Sequence, residues 1–162
     1  MVHIPDLMIW HLKKLLLVIK KGFYYMSDNQ QNFENIDPGQ ISCLIAEDNL
    51  VNQKILLRFL NNLGVHADLA KDGQEAVDAA QEKNYDIIFM DIQMPRMDGL
   101  SATHCILNEC QLKKEPVIIA VTANTSKEIE KNCFEIGMKG FISKPVSMKI
   151  IKDALKKHLD YP

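Results

Sequence analysis

The sequence predicts an α/β fold, a doubly wound five-stranded parallel sheet with helices on both faces. Three observations carry that expectation. From Ile41 onward, short apolar runs alternate with amphipathic segments of helical length. The apolar runs are continuous rather than alternating, as strands covered on both faces require. The chain has 162 residues, 47% hydrophobic and 25% charged, enough for one ordinary domain and crowded for two.

The first strand is "ISCLIA" (41–46). Val51, Ile55, Phe59 or Leu60, and Leu63 then recur at helical spacing, and Gly64 closes that helix as a left-handed cap. "VHADLA" (65–70) is a short second strand, after which Asp72 and Glu75 form a capping box for a helix running to Lys83. "YDIIFM" (85–90) is the third strand. Beyond it, the loop from Pro95 to Gly99 leads into a helix from Leu100 to Cys110. "PVIIAV" (116–121) is the fourth strand, and Thr125 with Glu128 repeats the capping-box spacing ahead of Ile129, Cys133 and Ile136. Gly137 ends that helix. "KGFIS" (139–143) is a short fifth strand, and Ser147 caps a last helix with apolar positions at Ile150 or Ile151, Ala154 or Leu155, and Leu159. Lys156 and Lys157 stand near its C-terminus, where cations suit the helix dipole.

A formal charge of −2, with both signs mixed along the chain, gives nucleic-acid binding no electrostatic support and points to small-molecule or protein partners. The four cysteines, Cys43, Cys105, Cys110 and Cys133, show no CxxC or Cys/His metal spacing and read as reduced core thiols of a cytoplasmic protein. Residues 1–40 read as an N-terminal extension, basic and apolar at first and then polar and disordered. Within it, residues 7–25 look membrane-like, yet the longest uncharged apolar run is Leu15 to Ile19, far short of the roughly 20 residues of a spanning helix. Lys13, Lys14, Lys20 and Lys21 bracket that run, and no signal-peptide pattern fits. The segment is expected either to lie on a membrane surface or against a partner helix, or to be a dispensable extension ahead of Met26.

In a doubly wound sheet the active crevice lies at the carboxyl ends of the strands. Glu47 and Asp48 follow the first strand, Asp91 the third, Thr122 the fourth and Lys144 the fifth. Three converging carboxylates repel one another unless a cation sits among them, and hard oxygen ligands suit Mg²⁺. A hydroxyl and an ammonium opposite them fit the oxygens of a phosphoryl group. The set therefore reads as a phosphoryl-transfer site. Taken singly, each residue has a structural alternative. Asp48 or Asn49 caps the first helix, Asp91 opens an Asx turn, Thr122 is a turn residue and Lys144 a solvated charge. Their shared position at the strand ends favours the joint reading.

Residues 41–160 resemble the receiver domain of two-component response regulators, through "AEDNLVNQKI" (46–55), "MDIQMPRMDG" (90–99), "VTAN" (121–124) and "GFISKPV" (140–146). The motif style is similar to receivers attached to, or served by, hybrid sensor kinases. The resemblance implies a flavodoxin-like strand order, 2-1-3-4-5. It implies that Asp91 accepts a phosphoryl group from a phosphohistidine on a sensor histidine kinase or histidine phosphotransfer protein. Asp48 and Asp91 would hold Mg²⁺ (or Mn²⁺) directly, Glu47 through water, and the Gln93 main-chain carbonyl would complete the protein ligands. Lys144 would pair with Asp91 and then with the phosphate, and Thr122 would donate its hydroxyl there. Ala123 would leave the approach open, and Lys144-Pro145 is a candidate cis peptide.

The same resemblance makes Thr122 and Phe141 switch residues that alter the face of the fourth helix, fifth strand and fifth helix, where a downstream protein would bind. An ordinary core aromatic is the alternative for Phe141. Gln93 and Asn124 occupy the positions that tune phosphate lifetime. The chain would be a stand-alone receiver, or one taken from a larger protein, and a self-catalysed phosphoacceptor rather than an enzyme. A haloacid-dehalogenase-type phosphatase would need a second acid where Gln93 stands. A nucleotide or flavin binder would need a phosphate-cradling loop in place of "EDNLVN" (47–52). A receiver-like binding module that is never phosphorylated is the remaining alternative.

Overall fold

The computed structural model describes residues 37–159, 161 and 162. The readings of residues 7–25 and of most of the extension lie outside the described residues. Five strands alternate with five helices: β1 (Cys43–Ala46), α1 (Leu50–Asn62), β2 (Ala67–Ala70), α2 (Gly73–Glu82), β3 (Ile87–Asp91), α3 (Gly99–Asn108), β4 (Val117–Thr122), α4 (Lys127–Glu135), β5 (Gly140–Ser143) and α5 (Met148–Leu159). The strands pair in parallel in the order β2-β1-β3-β4-β5, as the sequence predicts.

Both sheet faces are covered, which explains the continuous apolar runs in β1, β3 and β4. Alternate residues feed opposite cores. Leu44, Ile88, Met90 and Ala120 pack with Ala76, Val77, Ala102 and Ile106 of α2 and α3. Cys43, Ile45, Ile87, Phe89, Ile119 and Val121 pack on the other side with Leu56, Leu60, Ile151 and Leu155 of α1 and α5. Tyr161, just past the expected end of the domain, is buried in this second core, and its hydroxyl donates to the Leu63 carbonyl at 2.6 Å.

The helix ends follow from local chemistry. Asn49 caps α1, its Oδ1 accepting from the N–H groups of Val51 and Asn52. Asp72 caps α2 through the Glu75 N–H, whereas Glu75 reaches back one residue further than the capping box predicts, to the Lys71 N–H. Gly64 (φ 77°) and Gly137 (φ 107°) take the left-handed conformation expected of them.

Three expectations need correction. The buried stripe of α1 is Gln53, Leu56 and Leu60, while Val51 is 64% and Ile55 38% exposed. The helix is turned because the Gln53 amide is drawn inward to donate to the Glu47 carbonyl at 2.6 Å. Helix α4 is capped by Ser126 rather than Thr125: Asn124 Oδ1 accepts the Ser126 N–H, and the Ser126 hydroxyl oxygen then faces the Ile129 N–H. Of the four cysteines, Cys43 and Cys133 are core thiols, but Cys105 and Cys110 are only half-buried. No helix among the described residues is long and apolar enough to cross a membrane.

Candidate functional site

The parallel register brings the strand ends level. Ala46 pairs with Met90, Asp91 with Val121 and Thr122 with Ser143, so Glu47, Asp91, Thr122 and Lys144 emerge along one edge of the sheet. Asp91, only 5% exposed, is the last residue of β3. Lys144 Nζ donates to its Oδ2 at 2.6 Å, and the Gln93 N–H donates to its Oδ1 at 3.1 Å. The Asx turn foreseen for Asp91 is therefore present, and it uses one carboxylate oxygen while Lys144 uses the other.

Burial pushes the Asp91 carboxyl above the usual aspartate range; hydrogen bonds from Lys144 and the Gln93 N–H oppose this, and Glu47 adds to it. For Lys144, burial favours the neutral amine but is outweighed by Asp91 and Glu47, which hold its pKa above the ordinary lysine value. The ammonium thus stays charged beside two acids.

Glu47 is 1% exposed and tightly fixed. Its Oε1 accepts from the Asn49 N–H at 3.2 Å and from Asn52 Nδ2 at 2.9 Å. Its Oε2 lies 2.6 Å from Lys144 Nζ, a buried ion pair. Asp48 is exposed. Because Asn49 has taken the capping role, the Asp48 carboxylate is left to the site. Glu47, Asp48 and Asp91 each offer an oxygen, and the three oxygens lie within 4.8 Å of one another. A hard, all-oxygen donor set of three carboxylates fits Mg²⁺.

Thr122 is fully buried; its Oγ1 accepts the Asn124 N–H at 3.1 Å, and its carbonyl accepts the Lys144 N–H at 2.8 Å. The Lys144-Pro145 peptide is cis. Ala123, Asn124 and Gln93 are exposed at the rim, and Phe141 is half-buried in β5 opposite Ala120. A groove beside the acids is lined by Asn52, Ile55, Leu56, Val121, Pro145 and Val146.

Three contributors escaped the sequence reading. Asn52 and Gln53 hold the side chain and the carbonyl of Glu47, and the signal was a pair of amides one turn into an amphipathic helix. Arg96 stands in the left-handed region at φ 63°, uncommon for a residue with a side chain. Its guanidinium pairs with buried Asp72, with Nε 2.6 Å from Oδ2, while the Gly73 N–H donates to the Met97 carbonyl at 3.0 Å. These bonds tie the loop after Asp91 to the start of α2. A capping aspartate uses one oxygen, so the second was available for a cation, but only the fold shows which one.

Comparison with known proteins agrees with this geometry. The profile of the response regulator receiver domain matches residues 43–156. Histidine protein kinase 1 of Candida albicans is 43% identical over 128 residues, covering 74% of this chain. An osmosensing histidine protein kinase of Saccharomyces cerevisiae is 42% identical over 121 residues, covering 71% of this chain. The chain spans only 5% and 10% of those two kinases. Among solved structures, the receiver domain of a Pseudomonas aeruginosa sensor histidine kinase, with magnesium coordinated in its active-site cleft, superposes with a TM-score of 0.67 at 34% identity. It covers 73% of this chain and 96% of its own. A Saccharomyces cerevisiae receiver domain, co-crystallised with its histidine phosphotransfer protein, gives a TM-score of 0.67 at 31% identity over 73% of this chain and 88% of its own. Sheet order, acidic cluster and sequence agree that the chain belongs to the response regulator receiver domain family, the receivers of phosphorelay systems.

Proposed function

We propose that Asp91 is the phosphoacceptor of this receiver, taking a phosphoryl group from a phosphohistidine in a Mg²⁺-dependent, self-catalysed step. The observation that carries this reading is the Asp91 carboxylate at the β3 end, held between the Gln93 N–H and the Lys144 ammonium beside two further acids. An Asp91 oxygen attacks phosphorus as the bond from phosphorus to imidazole nitrogen breaks, and the departing imidazole takes up a proton. Glu47, Asp48, Asp91 and the Gln93 carbonyl would hold Mg²⁺, which when bound neutralises charge on the phosphoryl oxygens. Lys144, already charged, moves from Asp91 to the incoming phosphoryl oxygens. Thr122 exchanges its bond with the Asn124 N–H for one in which its hydroxyl donates to the same group. Gln93 and Asn124 border the product and set how readily water reaches it. With Gln93 in place of an acid, no general acid stands ready for a phosphatase.

The histidine-bearing partner, a sensor kinase or histidine phosphotransfer protein, docks over α1. Leu50 and Val51 are each 64% exposed and Ile55 38%, an apolar patch next to the acids. The co-crystallised Saccharomyces receiver supports a partner of this kind. Movement of Thr122 and Phe141 on phosphorylation would reshape the α4, β5 and α5 face for a downstream protein. The four free thiols fit the reducing cytoplasm.

The test is incubation with acetyl phosphate and Mg²⁺ followed by intact-mass measurement. A gain of one phosphoryl group is expected, lost with chelator and in Asp91→Asn. Uptake that survives the substitution removes Asp91 from the role, and no uptake from either acetyl phosphate or a phosphohistidine donor favours the binding-module alternative.

A further inference from the structure

The C-terminal end of α3 gathers a second set of ligating side chains, on the edge of the sheet away from Asp91. His104, Cys105 and Glu109 each present one donor atom, and the three atoms lie within 4.8 Å of one another. His104 Nδ1 stands 3.3 Å from Glu109 Oε1. The first residue of α3 abuts Asp91, for a Cβ on Gly99 would run into the Asp91 carbonyl, and the Gly99 N–H donates to the Ile92 carbonyl. Ten helical residues separate the two ends, about 15 Å at the usual rise. This cluster is therefore no part of the phosphoacceptor site.

Its electrostatics are unusual for a helix end. Glu109 is the C-cap of α3, and the last turn holds no basic residue. The unpaired carbonyls there already form the negative pole of the helix, where cations are normally favoured. A carboxylate and a thiol are added instead, with the His104 imidazole as their counterpart. Cys110 comes next; its N–H donates to the Cys105 carbonyl at 3.1 Å. His104 and Glu109 are 55% and 61% exposed, so an ion can reach the cluster without unfolding.

We propose that the C-terminal end of α3 is a binding site for a borderline-soft divalent cation of the zinc class, with His104 Nδ1, Cys105 Sγ and a Glu109 carboxylate oxygen as ligands. Mixed nitrogen, sulfur and oxygen donors suit Zn²⁺, whereas the all-oxygen set around Asp91 suits Mg²⁺, so the two sites sort different ions. Water supplies the remaining position. As the bond from sulfur to metal forms, the Cys105 thiol releases its proton to solvent, and nothing is oxidised or reduced. The bound ion clamps the last turn of α3 to the segment that leads into β4.

The experiment titrates Co²⁺ into the full, reduced chain with Mg²⁺ in excess to fill the acidic site, following the absorption band that only a cobalt-thiolate bond produces. Saturation at about one equivalent, with displacement by Zn²⁺, is expected. Cys105→Ser should abolish the band, and His104→Ala should weaken binding at least about tenfold while leaving the circular dichroism unchanged. Asp91→Asn should leave the band intact. Absence of a thiolate band in the wild-type chain, or a band that persists in Cys105→Ser, overturns the proposal.

Discussion

Gly99 offers the sharpest test of how α3 supports the proposed acceptor. A Cβ placed on Gly99 would overlap the Asp91 carbonyl oxygen and lie 2.9 Å from the Asp91 carbonyl carbon and 3.0 Å from Ile92 Cα. All three are backbone atoms at or just past the buried end of β3, so no side chain can rotate away. Overpacking in cores costs about 1–3 kcal/mol, and backbone neighbours put this case at the top of that range. The helix-propensity gain of Gly→Ala returns at most about 1 kcal/mol, less at a first helical position. Gly99→Ala is thus expected to lose about 2 kcal/mol, a fall of about 8 °C in Tm for a domain of this size. The strain falls on the residue that carries the carboxylate, and misplacement of a reacting group by about 1 Å costs on the order of 10²-fold in rate. Acetyl phosphate uptake should therefore slow by more than the lost stability explains. Gly39→Ala is the control, since its Cβ would meet nothing closer than 3.4 Å. A Gly99→Ala protein within about 2 °C of wild type and with unchanged uptake would refute the argument that α3 is seated against the acceptor backbone.

Three further outcomes follow from the site. Lys144→Ala should slow uptake from acetyl phosphate by about 10²-fold, as expected for removal of one preorganised charge-stabilising donor, while calorimetry still registers Mg²⁺ binding. Val51→Lys, at a position 64% exposed, should change folding stability by less than about 0.5 kcal/mol. It should nevertheless lower transfer from a histidine phosphotransfer protein by about tenfold without affecting acetyl phosphate, and equal effects on both donors would count against docking over α1. For Asp72, burial opposes ionisation but is outweighed by the Glu75 N–H and the Arg96 guanidinium, leaving the carboxyl below the ordinary aspartate value of 3.8. A depressed folded value means that its stabilisation is complete above the unfolded value and is lost as pH falls from there through the folded value. Asp72→Asn keeps a capping side chain, so denaturation curves should show it weaker than wild type at neutral pH and converging with it as pH falls below the ordinary aspartate value.

The strand-end residues were legible because each closes a continuous apolar run, and a parallel sheet leaves such residues only one edge to share. Gly64 and Gly137 were legible because a left-handed helix end admits few other residues. Helix α1 shows where sequence patterning stops. Its period was right, but its phase was not, since hydrophobicity alone assigns Val51 and Ile55 to the core, and only the Glu47 carbonyl, brought near by the fold, explains why Gln53 goes inside instead. The Arg96 to Asp72 bond was illegible for the same reason, as it joins residues 24 apart in the chain. Thr125 and Ser126 were indistinguishable by spacing, and the Asn124 turn decided between them. His104, Cys105 and Glu109 match no familiar ligand spacing, although Cys105 and Glu109 stand one helical turn apart.

The unequal anchoring of the acids has a consequence in time rather than in energy. Glu47 is pinned by the Asn49 N–H, Asn52 and Lys144, and Asp91 by Gln93 and Lys144, whereas Asp48 stands in solvent. Exposed side chains change rotamer in about picoseconds to nanoseconds. Asp48 can therefore swing clear and return many times while the rest of the crevice holds still. If the crevice takes Mg²⁺ as proposed, its filling would be paced by the stripping of water from the ion rather than by any opening of the protein. On the proposed function, a phosphohistidine partner would meet a receiver that has already equilibrated with the surrounding magnesium.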